Sequence, residues 1–188
     1  MAPDHPLIRD ATEADIRAIA AIYGDEVENG VASFEEVVPS EQEMTTRMAK
    51  IVGLGLPYLA AEDSNGRFLG YSYAGPFHAR AAYRFTVEDS IYIDPSARGQ
   101  GVGKALLREL IDRCGKAGCR QMMALITYTD DSPSIALHMK MGFRSIGVAQ
   151  AVGYKHGRWL DVAYMQRAIG PGQTIPPDRA AAGQSIAG

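Results

Sequence analysis

The sequence predicts a single mixed α/β domain of the α+β type: a mostly antiparallel sheet flanked by helices around one central strand–helix–strand unit. Three observations carry that expectation. Strand-like and helix-like segments alternate along most of the 188 residues. Turn signals toward both ends join short strands as antiparallel hairpins. Between them, a β-favouring run enters a glycine-rich turn and then a strongly amphipathic helix. The length fits one domain with trimmings, and 46% hydrophobic with 22% charged residues is an ordinary globular balance.

Each element has a local reason. Residues 7–10 read as a short strand. Thr12 caps a helix running to about Glu28, with Ile16, Ile19, Ala20, Tyr23 and Val27 recurring on one face. Ser40 and Glu43 form a capping-box pattern that starts a second helix, which ends near Gly53 and Gly55. Residues 58–62 and 68–74 read as a hairpin turned by Asp63, Ser64, Asn65 and Gly66. Residues 85–93 follow as a strand with Val87, Ile91 and Ile93 in β-favouring positions. Residues 101–116 form a helix whose apolar stripe is Val102, Leu106, Leu107, Leu110 and Ile111. The order then runs strand 121–128, helix 133–141 and strand 143–152. A turn at Lys155, His156 and Gly157 leads into a last strand, 159–166. From Gly170 the composition turns to Gly, Pro and Ala with little to bury. Residues 1–169 are therefore expected to be the domain, and residues 170–188 a flexible tail.

Charge and cysteine usage narrow the function classes. Nineteen Lys+Arg against 22 Asp+Glu give a net charge of -3, without the basic excess of a nucleic-acid binder. The longest apolar run, residues 51–61, is too short to span a membrane and is interrupted by Gly53, Gly55 and Pro57. The first residues lack the basic-then-apolar layout of a secretion signal. Cys114 and Cys119 cannot build a disulfide framework, and His5, His78, His138 and His156 are scattered. A reducing, cytoplasmic setting and no metal site are expected.

The informative site is the turn over residues 91–104, Ile-Tyr-Ile-Asp-Pro-Ser-Ala-Arg-Gly-Gln-Gly-Val-Gly-Lys. Glycines there remove Cβ atoms and let backbone N–H groups converge on a ligand. At a helix N-terminus those donors add to the positive end of the dipole, making a phosphate or pyrophosphate cradle. Arg98 and Lys104 add charge. A nucleotide-triphosphate loop would need Gly and Ser/Thr where this chain has Arg98 and Ala105, so that reading fails. The dinucleotide fingerprint fails as well, because Gly99 and Gly101 put Lys104 in the third glycine's place. A plain glycine turn remains, but three alternating glycines exceed what a turn needs.

The spacing Arg98-x-x-Gly101-x-Gly103 resembles the pyrophosphate motif of the GNAT superfamily, which transfers acetyl groups from acetyl-CoA to amines. The preceding Ile91-x-Ile93-x-Pro95 strand agrees. So does the later run from Ala136 and Leu137 to Lys140, Gly142 and Phe143, which is similar to the superfamily's helix and junction beside the CoA arm. Tyr83-Arg84-Phe85-Thr86-Val87-Glu88, Leu137-His138 and the segment from Gly153 through Trp159 to Val162 resemble one branch, the phosphinothricin and methionine sulfoximine acetyltransferases. The resemblance spans residues 7–167.

What it implies can be set against the chemistry. An α-amino group with a pKa of about 8 needs a base near neutral pH. Glu88, on the strand before the turn, takes that place in the family, directly or through water. Alternation puts Glu88 on the same side as Ser90 and opposite Asp89. His138 stands where many members have a tyrosine thought to protonate the departing thiolate; a packed helix histidine is its other reading. Main-chain groups of Ile91, Tyr92 and Ile93 are expected to polarise the thioester carbonyl and pair with pantetheine amides. Arg98, Gly99, Gln100, Gly101, Val102, Gly103 and Lys104 are expected to hold the pyrophosphate. Ser134 and Asp131 are expected along the pantetheine arm, with Ser134 also capping its helix. Asp131 departs from the branch's asparagine and, when ionised, can only accept a hydrogen bond. For the acceptor, Arg80 or Arg84, with Tyr83 between them, would bind a carboxylate or phosphinyl group bidentately, Arg80 being favoured. Phe34, Phe77, Thr86 and Val87 complete the expected pocket, although the two phenylalanines also read as core.

The expected activity is direct N-acetylation of a small amino-acid analogue, because no nucleophile sits beside an obvious base for a covalent acetyl-enzyme. Another amine acceptor (a polyamine or a protein N-terminus) or a non-catalytic CoA-binding module are the alternatives. His156, Trp159 and Asp161 are expected to serve structure or a dimer interface, and the resemblance implies a homodimer.

Overall fold

The computed structural model describes residues 5–129 and 131–177. Seven strands form one sheet: β1 (Leu7–Asp10), β2 (Tyr58–Glu62), β3 (Phe68–Pro76), β4 (Thr86–Ile93), β5 (Gln121–Thr127), β6 (Arg144–Lys155) and β7 (Arg158–Ala168). Their order across the sheet is β1-β2-β3-β4-β5-β7-β6. Every neighbouring pair is antiparallel except β4 and β5. That parallel pair needs a crossover, and α3 (Val102–Lys116) supplies it. The other helices are α1 (Ile16–Asn29), α2 (Glu41–Gly53) and α4 (Pro133–Lys140). The mostly antiparallel sheet with a central strand–helix–strand unit agrees with the expectation from sequence.

Local chemistry sets the boundaries. The Thr12 N–H donates to the Asp15 carboxylate at 2.7 Å and starts a short 3-10 turn that runs into α1. The Ser40 hydroxyl accepts from the Glu43 N–H at 3.1 Å, capping α2. One sheet face carries α1 and α2 over Ile16, Ile19, Tyr23, Val27, Tyr58 and Tyr71. The other carries α3, whose Leu106, Leu107 and Leu110 are fully buried against β2, β3 and β4. Each such leucine contributes roughly 1.5–3 kcal/mol, so the start of α3 is held firmly against the sheet.

Two expectations need correction. The sixth strand runs to Lys155 instead of ending at 152, because it is broken by an irregularity between Ala149 and Gly153 and then resumes. Ala151 there has φ 51, and its N–H donates to the Asp161 carboxylate at 2.8 Å. Alternation in the sequence gives no sign of such a bulge. The helix after β5 is capped by Ser132, which accepts from the Ile135 N–H, and not by Ser134. Pro133 takes the first helical position, where its missing N–H costs nothing, so the cap falls on the residue before it. Ile169 is buried and residues 170–174 turn against it through a Gly172 N–H to Ile169 carbonyl bond of 3.0 Å. Of the segment expected to be mobile, residues 178–188 lie outside the described residues.

Candidate active site

The sheet opens where β4 and β5 part. Thr86, Val87 and Glu88 pair with Gln121, Met122 and Met123, and the ladder stops there although both strands continue. From Asp89 to Ile93, β4 keeps β3 as its partner on one side only. Its edge toward β5 therefore offers main-chain donors and acceptors to whatever enters the gap. Glu88 is the last paired residue, at the apex of the opening.

Directly beyond β4 comes the glycine turn. Gly99 and Gly101 have φ of 77 and 84, in the left-handed region, and a Cβ on either would meet nothing within 4 Å. Their value is conformation and an open approach for a ligand. Gly103 serves differently: a Cβ there would sit 3.3 Å from the Leu137 side chain, so its absence lets α3 start close against α4. Gly101 caps α3 without any side-chain hydrogen bond, which leaves the first-turn amides facing the turn. Lys104 and Arg98 are exposed beside them, with an Arg98 guanidinium nitrogen 3.8 Å from the Glu26 carboxylate. The Gln100 amide donates to the Ser96 carbonyl at 2.8 Å, bracing the turn. The donor set and the open cradle fit a pyrophosphate.

Strand alternation divides the nearby carboxylates. Asp89 faces α4 and is buried, its Oδ2 3.0 Å from His138 Nε2, while Oδ1 has no hydrogen-bond partner. His138 Nδ1 lies 2.7 Å from the Ser134 carbonyl, and the ring packs edge-on against Phe143. Burial works against a charged ring, but the hydrogen bond and charge of Asp89, with the Ser134 carbonyl, outweigh it and raise the histidine's pKa. Both ring nitrogens are thus engaged within the fold.

Glu88 faces the α1–α2 side and is half-buried. Burial, and secondarily the charge of Asp89, push its carboxyl above the ordinary range. No hydrogen bond reaches it among the described residues. Beside it lies a stack of tyrosines: Tyr58 to Tyr73 at 5.0 Å, Tyr71 to Tyr92 at 5.2 Å, and Tyr23 edge-on to Tyr92 at 5.2 Å. Burial raises Tyr73 most; its hydrogen bond with Ser90 acts the other way, and the charges of Glu88 and Glu35 add to the rise. Tyr73 therefore feels the carboxylates of both the loop after α1 and β4.

The expected acceptor residues are only partly gathered. Phe34 lies on the loop after α1, its ring against Gly153 of β6. Together with Glu35, Glu36, Val37 and Tyr154 they line a cavity of about 590 Å³. Phe77 stacks on His78 at 4.1 Å and meets Tyr83 at 6.0 Å in the β3–β4 connection. Arg80 is exposed there; Arg84 donates to the Ala81 carbonyl at 2.8 Å and lies 4.8 Å over the Phe85 ring. Thr86 is half-buried at the base of β4. Val87 is 2% exposed in the core under α3, so its side chain faces away from Glu88. Ile91 and Ile93 pack toward that same core, whereas Tyr92 joins the tyrosines. Ser134 sits beside His138, its hydroxyl 3.5 Å from Nδ1, and Asp131 is exposed. The surroundings of Asp89, Tyr73 and Lys155 were not legible in the sequence. An acid predicted to face inward on a buried strand is a signal to search for a cation, but nothing in the spacing links residue 89 to 138.

Comparison with known proteins supplies the frame. Residues 25–143 match the family described as Acetyltransferase (GNAT) family. A phosphinothricin N-acetyltransferase of Alcaligenes faecalis is 47% identical over 171 residues, covering 91% of this chain and 86% of that one. An L-methionine sulfoximine/L-methionine sulfone acetyltransferase of Pseudomonas paraeruginosa is 37% identical, covering 90% and 98%. A GNAT superfamily phosphinothricin acetyltransferase from Sinorhizobium meliloti, solved in complex with AcCoA, superposes with a TM-score of 0.88 at 52% identity, covering 93% and 94%. With the split strands, the open glycine cradle and matches of this extent, the chain belongs to the GNAT acetyltransferase family and is an acetyltransferase.

Proposed function

We propose that this protein transfers the acetyl group of acetyl-CoA to the α-amino group of a small zwitterionic amino-acid analogue, phosphinothricin, methionine sulfoximine or methionine sulfone. The observation that carries the mechanism is Glu88: a half-buried carboxyl with a raised pKa and no hydrogen bond, at the apex of the β4–β5 opening. A raised carboxyl is a better base near neutral pH than an ordinary one. Glu88 takes a proton from the acceptor's ammonium, directly or through one water, and leaves the amine nucleophilic.

When bound, acetyl-CoA supplies the activated carbonyl and the thiolate leaving group. Main-chain groups along residues 89–93 orient the arm and donate to the carbonyl oxygen where charge develops. The α3 amides, with Arg98 and Lys104, hold the pyrophosphate. His138, with both nitrogens engaged, acts by holding α4 to β4. A thiolate with a pKa of about 8.5 leaves without a strong acid. Arg80, exposed and with no hydrogen bond from its guanidinium among the described residues, is our choice for the acceptor's carboxylate or phosphinyl group, with Tyr83 and Phe77 in the same connection.

The exposed Ile146, Val148, Val152, Tyr154 and Trp159 gather on the β6–β7 hairpin at the sheet edge. This hairpin is our proposed homodimer face. Sedimentation at micromolar concentration giving the mass of one chain would remove it. Two buried, unbridged cysteines suit a reducing compartment, and we propose the cytosol. Among the described residues no helix is long and apolar enough to cross a membrane.

The test is thiol release from acetyl-CoA against phosphinothricin, methionine sulfoximine, methionine sulfone, the common amino acids, spermidine and an alanine-terminated peptide. Saturable turnover confined to the first three is expected. Preference for spermidine or the peptide moves the acceptor class, and binding of CoA without turnover of any amine overturns the catalytic reading.

A further inference from the structure

Lys155 is a buried cation that the proposed chemistry does not use. It is 4% exposed, and no carboxylate lies within 4.0 Å of it among the described residues. Its ammonium donates to the Ser33 carbonyl at 2.7 Å and, more weakly, to the Glu26 carbonyl at 3.4 Å. Burying an ammonium is costly unless its donors are satisfied, so these contacts are strongly constrained. They lie at the C-terminal end of α1, the negative end of its dipole, where α1 has no basic residue of its own. The cation that a helix would ordinarily carry in its last turn is supplied from β6, over a hundred residues away in sequence.

The same segment, residues 30–35, is held by further hydrogen bonds. Thr127 of β5 donates to the Val31 carbonyl. The Ala32 N–H donates to the Glu26 carboxylate at 2.7 Å, and the hydroxyls of Tyr23 and Ser33 pair at 2.9 Å. His156 Nε2 lies 3.1 Å from the Gly30 carbonyl. What this loop carries to the cavity is Phe34, still 42% exposed. The Phe34 ring lies so close to Gly153 that a Cβ there would come within 2.1 Å of the ring. Gly153 is where β6 re-enters the ladder after its irregularity, two residues before Lys155.

We infer that Lys155 and Gly153 of the β6–β7 hairpin are positioning residues that hold the loop after α1 so that Phe34 forms one wall of the acceptor site. Lys155 fixes the loop's backbone; Gly153 leaves room for the ring. The inference rests on the acceptor reading above, since Phe34 matters to catalysis only if the acceptor binds beside it. The two residues act on acceptor affinity through Phe34; their one link to the acetyl-CoA cradle among these contacts is Glu26, whose carboxylate lies 3.8 Å from an exposed Arg98 nitrogen, a pair too weak to carry the effect.

The test uses the full chain. In Lys155→Met, which keeps the apolar stem and removes the donors, the acceptor KM rises roughly tenfold or more, as expected when a binding group is displaced by about an ångström. The acetyl-CoA KM and kcat stay within about twofold, and Lys155→Arg recovers part of the loss. Gly153→Ala has the same signature and is the second arm should Lys155→Met fail to fold. Neither change adds to Phe34→Ala, because each acts through that ring. Effects that add to Phe34→Ala, an equal rise in the acetyl-CoA KM, or an unchanged acceptor KM in both variants overturns the inference. Amide hydrogen exchange over residues 31–35 provides a readout without an acceptor. Faster exchange in Lys155→Met supports the latch even if the unmodified protein turns over no zwitterionic amine, in which case the acceptor reading alone falls. Unchanged exchange removes the latch whatever the acceptor is.

Discussion

The two sides of β4 are built in different ways. On the cofactor side, the cradle is one contiguous stretch, residues 91–104, working through backbone amides at the start of α3 and through glycines with nothing against them. On the proposed acceptor side, the groups are scattered over the loop after α1, the β3–β4 connection, β4 itself and the β6–β7 hairpin. Backbone recognition needs only a local conformation, so it can be written into fourteen consecutive residues. Recognition by side chains needs several elements brought together, and each can change without disturbing the others.

The sharpest challenge to this division is at Glu88, which borders both sides. Glu88→Gln should lower kcat by about 10²–10⁴-fold while CoA binding is unaffected. Turnover near that of the unmodified protein would place the base elsewhere. Next comes Gly101→Val. A β-branched residue at φ 84 is strained by about 1–2 kcal/mol or more and fills the open cradle, so the acetyl-CoA KM should rise at least about tenfold. Normal acetyl-CoA affinity would contradict the pyrophosphate assignment, and an equal loss of acceptor affinity would show that the sides are not separate. Arg80→Ala should raise the acceptor KM by roughly 10- to 150-fold, the size of a charged hydrogen bond of about 1.5–3 kcal/mol, with the acetyl-CoA KM unmoved.

A smaller effect links the two faces through Asp89. Glu88 must be deprotonated to act, and burial with the Asp89 charge raises its pKa. The acid limb of kcat/KM should therefore lie above the ordinary carboxylate value of about 4.3. Asp89→Asn removes the repulsion, so the limb should move to lower pH; an unmoved limb would leave burial as the whole cause. The same variant tests the His138 pair. Its imidazole titrates higher in the folded protein than when unfolded. The stabilisation is therefore complete below about pH 6.5 and lost as pH rises through the folded value. The gap in Tm between the unmodified protein and Asp89→Asn should accordingly narrow between pH 6 and 9. A constant gap would mean that the ring does not titrate against Asp89 in this range. The least effect on stability is expected at Arg98→Gln, whose 3.8 Å pair with Glu26 is largely exposed; calorimetry should find a change within about 1 kcal/mol. A larger loss would give Glu26 a part in holding the cradle.

The order of elements, the capping of α2, the glycine cradle and the alternation separating Glu88 from Asp89 were all legible in the sequence, whereas Thr12 starts a short 3-10 turn and leaves Asp15 at the cap of α1. Each depends on residues within a few positions of one another, where periodicity, caps and φ preferences act directly. The irregular β6 was not, because its bulge is held by the side chain of Asp161 on the neighbouring strand. The same holds for His138, for which the sequence left a thiolate acid and a packed helix histidine both open until Asp89 and the Ser134 carbonyl were seen to occupy its two nitrogens. Lys155 shows the limit most clearly. In the sequence it is one residue of a turn, and only folding carries it to the end of α1. Sequence alone determined the strand–turn–helix that can hold a pyrophosphate, because backbone geometry is local. Tertiary structure decided which charged groups are buried and what each one touches, because desolvation and hydrogen-bond partners depend on elements distant along the chain.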